Sequence, residues 1–401
     1  MNEKRQLTVL CLASYEKGQE FIRECKRLGC RTLLVTKHKL EGADWPREAI
    51  DETFYMPDEF SLEDLTKAVS YLARSREIDR VVALDDFDVE TAASLREHLR
   101  VPGMGDTTAR HFRDKLAMRV KARDHGILVP EFVHTLNHAA IHEYVNRVPA
   151  PWVLKPRSEA SAVGIKKVGS ADELWPLLEE LGDRQSYYLL EQFIPGDIFH
   201  VDSIVSEREV VFTALSKYGL PPMEVAHGGG VFLTRTISRH SADAQALDAL
   251  NRELLHTLNL VRGVTHTEFI KGHHDGRFYF LETAARVGGA NIAEVIEAAT
   301  GVNLWREWAK IEMAGEQGGY EPPPRRDDYA GIVISLARQE WPDTSEFDDP
   351  EIVFRLRKRH HVGLLVASHD PGRVDWLLQS YSRRLLRDFS ATLPAPDKPT
   401  S

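Results

Sequence analysis

The amino-acid sequence predicts a mixed α/β and α+β protein, in which an N-terminal parallel-sheet α/β domain precedes a strand-rich α+β region. Within residues 1–105, short apolar runs such as Leu7–Ala13 alternate with segments of helical spacing. Strands separated by helices form a parallel sheet covered by those helices. From Trp152 onward, strand-like segments follow one another and are interrupted by one long helical segment, Ala242–Leu258. This change of pattern predicts the α+β region.

The chain has 401 residues, enough for two or three structural units of about 100–200 residues each. Pro102–Asp106 (PGMGD) interrupts the alternating pattern, and Pro322–Pro324 is the clearest linker. The last ten residues contain three prolines and few apolar side chains. We therefore expect units at residues 1–105, 106–314 and 315–390, with a flexible tail at 391–401.

Composition and charge exclude several functional classes. The net charge of −10 disfavours non-specific nucleic-acid binding, which needs basic patches to neutralise phosphates. The three cysteines form no CxxC pair, which disfavours disulfide and zinc frameworks and fits a reducing cytoplasm. The apolar run near the N-terminus is too short for a signal segment or a membrane span. We expect a cytoplasmic protein that associates with neither nucleic acid nor membrane.

Several common motifs are absent from the sequence. No GxGxxG follows the first strand, and neither GxxxxGK[ST], HExxH nor GxSxG occurs, which disfavours Rossmann, P-loop, zincin and simple serine-hydrolase sites. An acidic cluster, Asp85–Asp88, follows the predicted strand Arg80–Leu84. Ligands of parallel sheets bind at the carboxyl ends of strands, but a solvated turn that caps a helix explains the cluster equally well.

The most informative feature is a pair of carboxylates on neighbouring predicted strands. Glu268 lies in THTEFI, Glu282 ends RFYFLE, and the turn HHDG joins the two segments. Hairpin pairing brings two such side chains close together, where they repel each other. A magnesium ion relieves this repulsion and prefers oxygen ligands shared with substrate phosphates. Two glutamates on a solvated hairpin face would show the same spacing.

Arg286 follows Glu282 by four residues and precedes Gly288, Gly289 and a predicted helix at Ile292–Thr300. Glycines before a helix leave backbone N–H groups free to face an anion. A guanidinium there can hold a carboxylate or a migrating phosphoryl group. We therefore expect Arg286 and Gly289 to contact substrate.

Two lysines are candidates for phosphate contacts. Lys155 ends an apolar strand, and the small-residue turn Ser158–Gly164 follows it. Such a turn, including Ser161 and Gly164, can lie over phosphates and donate backbone hydrogen bonds. Lys115 lies in a helical segment predicted over residues 107–125, where a lysine is ordinarily a surface charge.

Two further segments are candidate binding elements. The strand YYLLEQFIPGD becomes polar at Glu191, stays apolar at Phe193 and Ile194, and breaks at Pro-Gly, which suits the wall of a flat heterocycle but also an ordinary strand end. In AHGGGVF, three glycines beside a histidine indicate a mobile or close-approach loop. We expect substrate contacts from this loop at His227, Gly228 and Gly229.

Taken in order, these pieces resemble the ATP-grasp superfamily over about three quarters of the chain. The matching segments are DDFDVETAASLREHL, PGMGDTTARHFRDKLAM, GILVPEF, VLKPR, LLEQFIPGD, HTEFI and FLETAARVGG. Within the superfamily the chain looks most like the carboxylate–amine ligases that include bacterial L-amino-acid ligases. It is more distantly similar to D-alanine–D-alanine ligase and biotin carboxylase. The resemblance implies an ATP-grasp fold of two α+β subdomains at residues 106–314 and a small C-terminal α+β unit.

The resemblance also implies roles for individual residues. Lys115 and Lys155 would contact the ATP phosphates, and Lys155 and Arg286 would act in catalysis. Glu191 with the backbone of Phe193 and Ile194 would hold adenine. Glu268 and Glu282 would coordinate Mg²⁺, with Mn²⁺ as an alternative. The implied reaction forms an acyl-phosphate from a small carboxylate and ATP, followed by amine attack and release of ADP and phosphate. Homodimers are common among such ligases.

Two positions depart from the family pattern. Many relatives have asparagine two residues after the second metal glutamate, where this chain has Ala284, so Asn291 is a candidate in its place. Many also have an acid seven residues after the adenine-strand glutamate, where this chain has Ile198. Asp197 and Asp202 are the candidates for the ribose contact. These departures motivate one alternative, a non-catalytic ATP-binding regulatory protein. A second alternative is a carboxylase-type subunit acting through carboxyphosphate, which would need a partner because the sequence has no biotin-carrier MKM segment.

Overall fold

The computed structural model describes residues 5–159, 164–222, 225, 230–314 and 319–391. The N-terminal part forms a four-stranded parallel sheet in the order β3-β2-β1-β4. All six residues of the first strand are buried, as its continuous apolar run predicts. The elements are β1 (Thr8–Ala13), α1 (Gln19–Arg27), β2 (Arg31–Lys37), β3 (Glu52–Met56), α2 (Leu62–Ala73), β4 (Arg80–Ala83) and α3 (Val89–Leu99).

A second, antiparallel sheet of four strands follows, in the order β5-β8-β6-β7. Side chains of α6 and α7 pack against it around Trp152 and Leu154. Its strands are β5 (Phe132–His134), β6 (Trp152–Pro156), β7 (Lys166–Val168) and β8 (Tyr188–Gln192). The helices of this part are α4 (Asp106–Arg110), α5 (Lys115–Arg123), α6 (His138–Arg147) and α7 (Ala171–Leu181).

The helix predicted over residues 107–125 is two helices, α4 and α5. The break falls before Asp114, whose side chain accepts hydrogen bonds from the backbone N–H groups of Leu116 and Ala117 and so caps α5. Aspartate is among the residues preferred at this position because its carboxylate satisfies otherwise unpaired N–H groups. The cap places Lys115 at the first position of α5.

The third sheet is antiparallel and has eight strands in the order β13-β12-β9-β10-β11-β14-β16-β15. Its strands are β9 (Gly196–Ser206), β10 (Glu209–Tyr218), β11 (Phe232–Thr236), β12 (Gly263–Gly272), β13 (Phe278–Ala284), β14 (Tyr329–Leu336), β15 (Ile352–Arg355) and β16 (His361–Ser368). Its helices are α8 (Ala242–Leu258), α9 (Ile292–Thr300), α10 (Leu304–Ala314) and α11 (Pro371–Asp388).

The fold class predicted from the sequence is confirmed, since a parallel N-terminal sheet precedes antiparallel sheets with helices. The last three strands continue the eight-stranded sheet through the pairing of β11 with β14. The predicted C-terminal unit at residues 315–390 therefore shares a sheet with the unit before it, and the unit boundaries stay predictions. Among the described helices, none combines the length and apolar character needed to cross a membrane.

We predict that Leu377→Ala destabilises the protein by about 2–5 kcal/mol, because it leaves a cavity in a packed core. Leu377 is fully buried on α11 in the cluster that covers the far end of the eight-stranded sheet. The matched control is Leu386→Ala on the same helix, which is 46% exposed and should cost about 0.5 kcal/mol or less. Urea unfolding followed by circular dichroism measures both. Equal effects of the two substitutions would contradict this packing.

Candidate active site

A cavity of about 860 Å³ is lined by residues of both antiparallel sheets. It brings together most of the residues predicted from the sequence, namely Lys115, Lys155, Glu191, Phe193, Ile194, Asp197, Glu268, Glu282, Arg286 and Gly289. Gly164 is described but is not among the lining residues. Ser161, His227, Gly228 and Gly229 lie outside the described residues.

Glu191 holds two cations in the wall of the cavity. It lies on β8 diagonally across from Lys155 on β6, because Glu191 pairs with Val153 in the antiparallel register. Lys155 Nζ lies 2.5 Å from Glu191 Oε1, and Arg119 Nη2 lies 3.0 Å from Glu191 Oε2. All three charged side chains are buried. Arg119 on α5 also donates to the backbone carbonyl of Leu281.

These contacts shift the pKa values of the group. Burial alone would raise the pKa of Glu191, but Lys155 and Arg119 together outweigh burial and lower it. Burial lowers the pKa of Lys155, and Glu191 opposes that shift. Both oxygens of Glu191 are engaged by cations, so the carboxylate fixes Lys155. The predicted adenine contacts of Glu191, Phe193 and Ile194 stay predictions.

Lys115 bridges a second carboxylate and the segment that follows β6. Its Nζ lies 2.8 Å from Glu282 Oε2 and donates to the backbone carbonyl of Glu159 at 2.6 Å. Burial would raise the pKa of Glu282, but Lys115 and Lys155 outweigh it and lower that pKa to about 2. The residue predicted to bind phosphate therefore neutralises a residue predicted to bind metal.

The two predicted metal ligands face each other. Glu268 on β12 pairs directly with Glu282 on β13, next to a register shift in the ladder. Glu268 Oε1 accepts a hydrogen bond from Tyr218 Oη at 2.9 Å and lies 3.5 Å from His266 Nε2. Among the described residues, Glu268 Oε2 has no polar partner. Each carboxylate thus has its own polar partners on one oxygen.

Behind Glu268, a buried polar network runs across one face of the long sheet. His266 Nδ1 lies 2.9 Å from Asp202 Oδ1, and His200 Nδ1 lies 2.6 Å from Asp202 Oδ2. His200 Nε2 lies 2.7 Å from Thr234 Oγ1. The ligand atoms of the two histidines and Asp202 lie within 4.8 Å of one another, as in a metal site, but each already has a hydrogen-bond partner.

The two candidates for a ribose contact, Asp197 and Asp202, differ in their access to the cavity. Asp202 is fully buried between the two histidines and is not among the residues lining the cavity. Asp197 does line the cavity and accepts a hydrogen bond from Lys217 at 2.8 Å. Asp197 is therefore the remaining candidate for a ribose contact.

The network also shifts the pKa of His266. Burial alone would lower this pKa, but Asp202 and then Glu268 raise it to about 9.

Arg286 follows β13 and reaches the cavity from the side of α9. Its Nη1 donates to the backbone carbonyl of Val287 at 2.9 Å. Its Nε is buried and has no hydrogen-bond partner among the described residues. A buried N–H of a cation without a partner is costly, so an anion is the partner that fits. Asn291 interacts with Glu294 and is not among the lining residues.

The acidic cluster at Asp85–Asp88 is held inside the structure rather than open to a ligand. Lys17 Nζ lies 2.7 Å from Asp85 Oδ2, and Arg113 Nη1 lies 2.5 Å from Asp86 Oδ2. Asp88 accepts from both the hydroxyl and the backbone N–H of Ser14. Arg113 also donates to the carbonyl of Ser158. These contacts favour the structural interpretation of the cluster and join the N-terminal part to the segment after β6.

Sequence reasoning did not identify Arg119 or His200 as part of the site, named Asp202 only as a candidate for the ribose contact, and predicted no contact between Tyr218 and Glu268. Arg119 stands four residues after Lys115, on the same face of α5, and that spacing was an available signal. His266 and Glu268 stand two residues apart on β12, a spacing that places both side chains on the same face of the strand. Tyr218 has no comparable local signal.

We predict that Glu191→Gln lowers the free energy of unfolding by about 3–5 kcal/mol at pH 7, because it leaves two buried cations without a counter-charge. The control is Glu180→Gln, an exposed carboxylate 3.7 Å from Lys166, which should give no measurable change. Since the pKa of folded Glu191 is lowered, this stability is present above its ordinary value of 4.5 and is lost as the pH falls below it. Urea unfolding at pH 7 and pH 4 tests both points. A difference that is absent at pH 7, or larger at pH 4, would contradict the assignment.

Comparison with known proteins finds similar ligases. No protein-family model matches the chain. An L-arginine-specific L-amino acid ligase of Bacillus subtilis is 24% identical over 353 residues, which span 79% of this chain and 84% of that protein. A D-alanine–D-alanine ligase of Ruthia magnifica subsp. Calyptogena magnifica is 26% identical over 188 residues, 46% of this chain and 62% of that protein.

Solved structures give the same result for the fold. The crystal structure of an L-amino acid ligase from Bacillus licheniformis superposes with a TM-score of 0.74 at 19% identity, covering 97% of this chain and 99% of that one. The resemblance predicted from the sequence is confirmed as a resemblance: the chain is similar to L-amino acid ligases and to D-alanine–D-alanine ligases.

Proposed function

We propose that the protein is an ATP- and Mg²⁺-dependent ligase that joins a small carboxylate substrate to an amine through an acyl-phosphate, releasing ADP and phosphate. The observation that carries this proposal is the meeting, in one cavity, of two lysines, two facing glutamates and an arginine whose buried Nε has no partner in the part of the chain that the structure describes. The relatives named as amino-acid ligases support an amino acid or similar compound as substrate.

The nucleotide is proposed to bind between the two antiparallel sheets. Val153, Phe193, Ile194, Ile270 and Leu281 line that part of the cavity and suit a flat heterocycle. The ammonium of Lys167 lies 3.7 Å from the centre of the Phe193 ring and helps to fix it. The phosphates would then lie towards the two cavity lysines, where charge attraction favours them.

The facing glutamates fit a magnesium ion bound together with these phosphates. Both polar contacts that the described residues make with Glu268 fall on Oε1, which leaves Oε2 for a metal, and Glu282 lies opposite it. Magnesium keeps several waters and commonly takes only one or two protein carboxylates when phosphates are present, so Ala284 in the usual asparagine position does not preclude binding. When bound, the ion would supply positive charge to the phosphate oxygens.

Arg286 is proposed to bind the acid substrate and the group transferred to it. One carboxylate oxygen of the substrate attacks the γ-phosphorus, a new P–O bond forms, and the bond to ADP breaks. The amine, in its neutral form, then attacks the activated carbonyl, phosphate leaves, and the amine loses its extra proton. The guanidinium of Arg286 stabilises the negative charge that develops in both steps.

Lys115 is proposed to change partner when the nucleotide binds. In this structure it neutralises Glu282, a proposed metal ligand. A phosphate that attracts Lys115 would free Glu282 for the metal, so metal and nucleotide would bind together better than either binds alone.

The proposed partners are small molecules, and a homodimer and a cytoplasmic location remain part of the proposal.

We predict that pure protein with ATP and Mg²⁺ releases phosphate when a suitable acid and amine are both present, and that mass spectrometry finds the amide product. Glu282→Gln and Arg286→Ala should reduce turnover by at least about 100-fold, since the first removes a proposed metal ligand and the second removes a cation that stabilises the transition state. Glu180→Gln, on the exposed surface, should leave turnover unchanged. Phosphate release that requires bicarbonate alone, or ATP binding with no turnover across a broad amino-acid panel, would overturn the proposal.

We predict opposite effects of Lys115→Met on the two ligands. Loss of the ammonium should weaken ADP binding by roughly 10–100-fold and should tighten Mn²⁺ binding in the absence of nucleotide, because Glu282 loses its internal counter-ion. Lys121→Met on the same helix is the matched control and should change neither. Isothermal titration calorimetry measures both affinities. Weaker binding of Mn²⁺ alone would show that Lys115 does not compete with the metal.

A further inference from the structure

We infer that Tyr218 is a positioning residue for Glu268, and that it is held in place by the buried network of His266, Asp202, His200 and Thr234. The inference rests on the proposed function, because it concerns the carboxylate assigned there to the metal. It assigns a task to polar side chains in the middle of a sheet that the proposed reaction does not otherwise use.

The first argument is that strand register places the whole network on one face of the sheet. His200 pairs with both Glu268 on β12 and Ser216 on β10. Tyr218, two residues beyond Ser216, pairs with Thr234 on β11. Since side chains two residues apart share a face, four adjacent strands direct these groups to the same side. The network is thus a consequence of the pairing of four strands.

The second argument is that the hydrogen bonds can all run in one consistent direction. A phenol has one proton to donate, and Tyr218 Oη lies 2.9 Å from Glu268 Oε1. Tyr218 Oη also lies 3.3 Å from His266 Nε2, so the imidazole N–H can donate to the phenol oxygen. His266 Nδ1 then donates to Asp202, whose other oxygen accepts from His200. Each group that donates towards Glu268 is fixed by the group behind it.

The third argument concerns freedom of movement. The Glu268 side chain borders the cavity, and nothing on its second oxygen restrains it among the described residues. Tyr218 itself is buried, with its ring centre 4.8 Å from that of His200 and 5.7 Å from that of Phe232. A rigid phenol that holds Oε1 leaves Oε2 directed at the cavity. Groups that orient a metal ligand in this way commonly contribute to metal affinity without touching the metal.

The test is the binding of Mn²⁺ to the full chain in the presence of ADP, measured from the electron paramagnetic resonance signal of the free ion. Tyr218→Phe removes only the hydroxyl and keeps the packed ring. It should weaken Mn²⁺ binding by about 10–100-fold, while ADP binding without metal stays unchanged. In turnover assays the half-saturating Mg²⁺ concentration should rise, and excess Mg²⁺ should restore the rate. Tyr218→Met, which also lacks the hydroxyl, repeats the measurement should the first variant fail to fold.

The matched control is Tyr279→Phe. Tyr279 lies on β13, the strand next to β12, and is not among the cavity-lining residues. Its Oη donates to Asp275 at 2.7 Å. Its substitution removes a similar hydrogen bond away from the proposed metal ligands. Metal affinity should remain that of the wild type.

A double-mutant cycle separates positioning through Glu268 from any other role. Glu268→Gln alone should weaken Mn²⁺ binding, and the addition of Tyr218→Phe to it should cost nothing further. Fully additive losses, or Tyr218→Phe with wild-type affinity while Glu268→Gln is impaired, would overturn the inference and leave the proposed function standing. Wild-type affinity in Glu268→Gln would instead remove the proposed metal site, and the inference with it.

Discussion

Charge compensation within the cavity is the constraint on which the site depends. Glu191, Glu268 and Glu282 line it, and each is paired with a cation or a hydrogen-bond donor from an element other than its own. Removing one partner of a buried ion pair costs roughly 3–5 kcal/mol, because the other charge is left uncompensated. These pairs therefore fix the positions of the elements relative to one another. Helix α5 shows this best, because Arg119 reaches β8 through Glu191 and β13 through the carbonyl of Leu281.

The same compensation explains how two carboxylates can face each other inside the protein. Repulsion between Glu268 and Glu282 predicts a cation between them, and in the structure that role is divided between Lys115 and the Tyr218–His266 pair. In the proposed function, these internal cations are exchanged for external ones when a nucleotide and a metal bind together. The proposal therefore connects the ion pairs that stabilise the chain with the coupled binding of its two ligands.

The fold and the resemblance to carboxylate–amine ligases could be predicted from the sequence because their signals are local. Apolar runs mark the strands, and the order of short motifs marks the resemblance. Lys155 and Glu191 could be predicted as notable because a charge inside an apolar strand is conspicuous. Their mutual pairing could not, since it depends on the register between β6 and β8.

Other features lay beyond sequence reasoning for a related reason. Tyr218, Asp202 and His200 meet Glu268 only because β9, β10 and β12 are adjacent in a sheet whose order differs from chain order. The break before α5 was missed because the helical spacing of the sequence continues through it. Asp114 nevertheless starts a new helix there by capping its first N–H groups. The roles of Asp85–Asp88 stayed open for want of their partners, Lys17, Arg113 and Ser14.

A crystal structure of the protein with ADP and Mn²⁺ tests the central claim most directly, through the anomalous signal of the metal. The account predicts a peak between the carboxylates of Glu268 and Glu282, with Lys115 moved from Glu282 to a phosphate oxygen. A peak at the His200–Asp202–His266 cluster, or ADP bound outside the cavity, would contradict it.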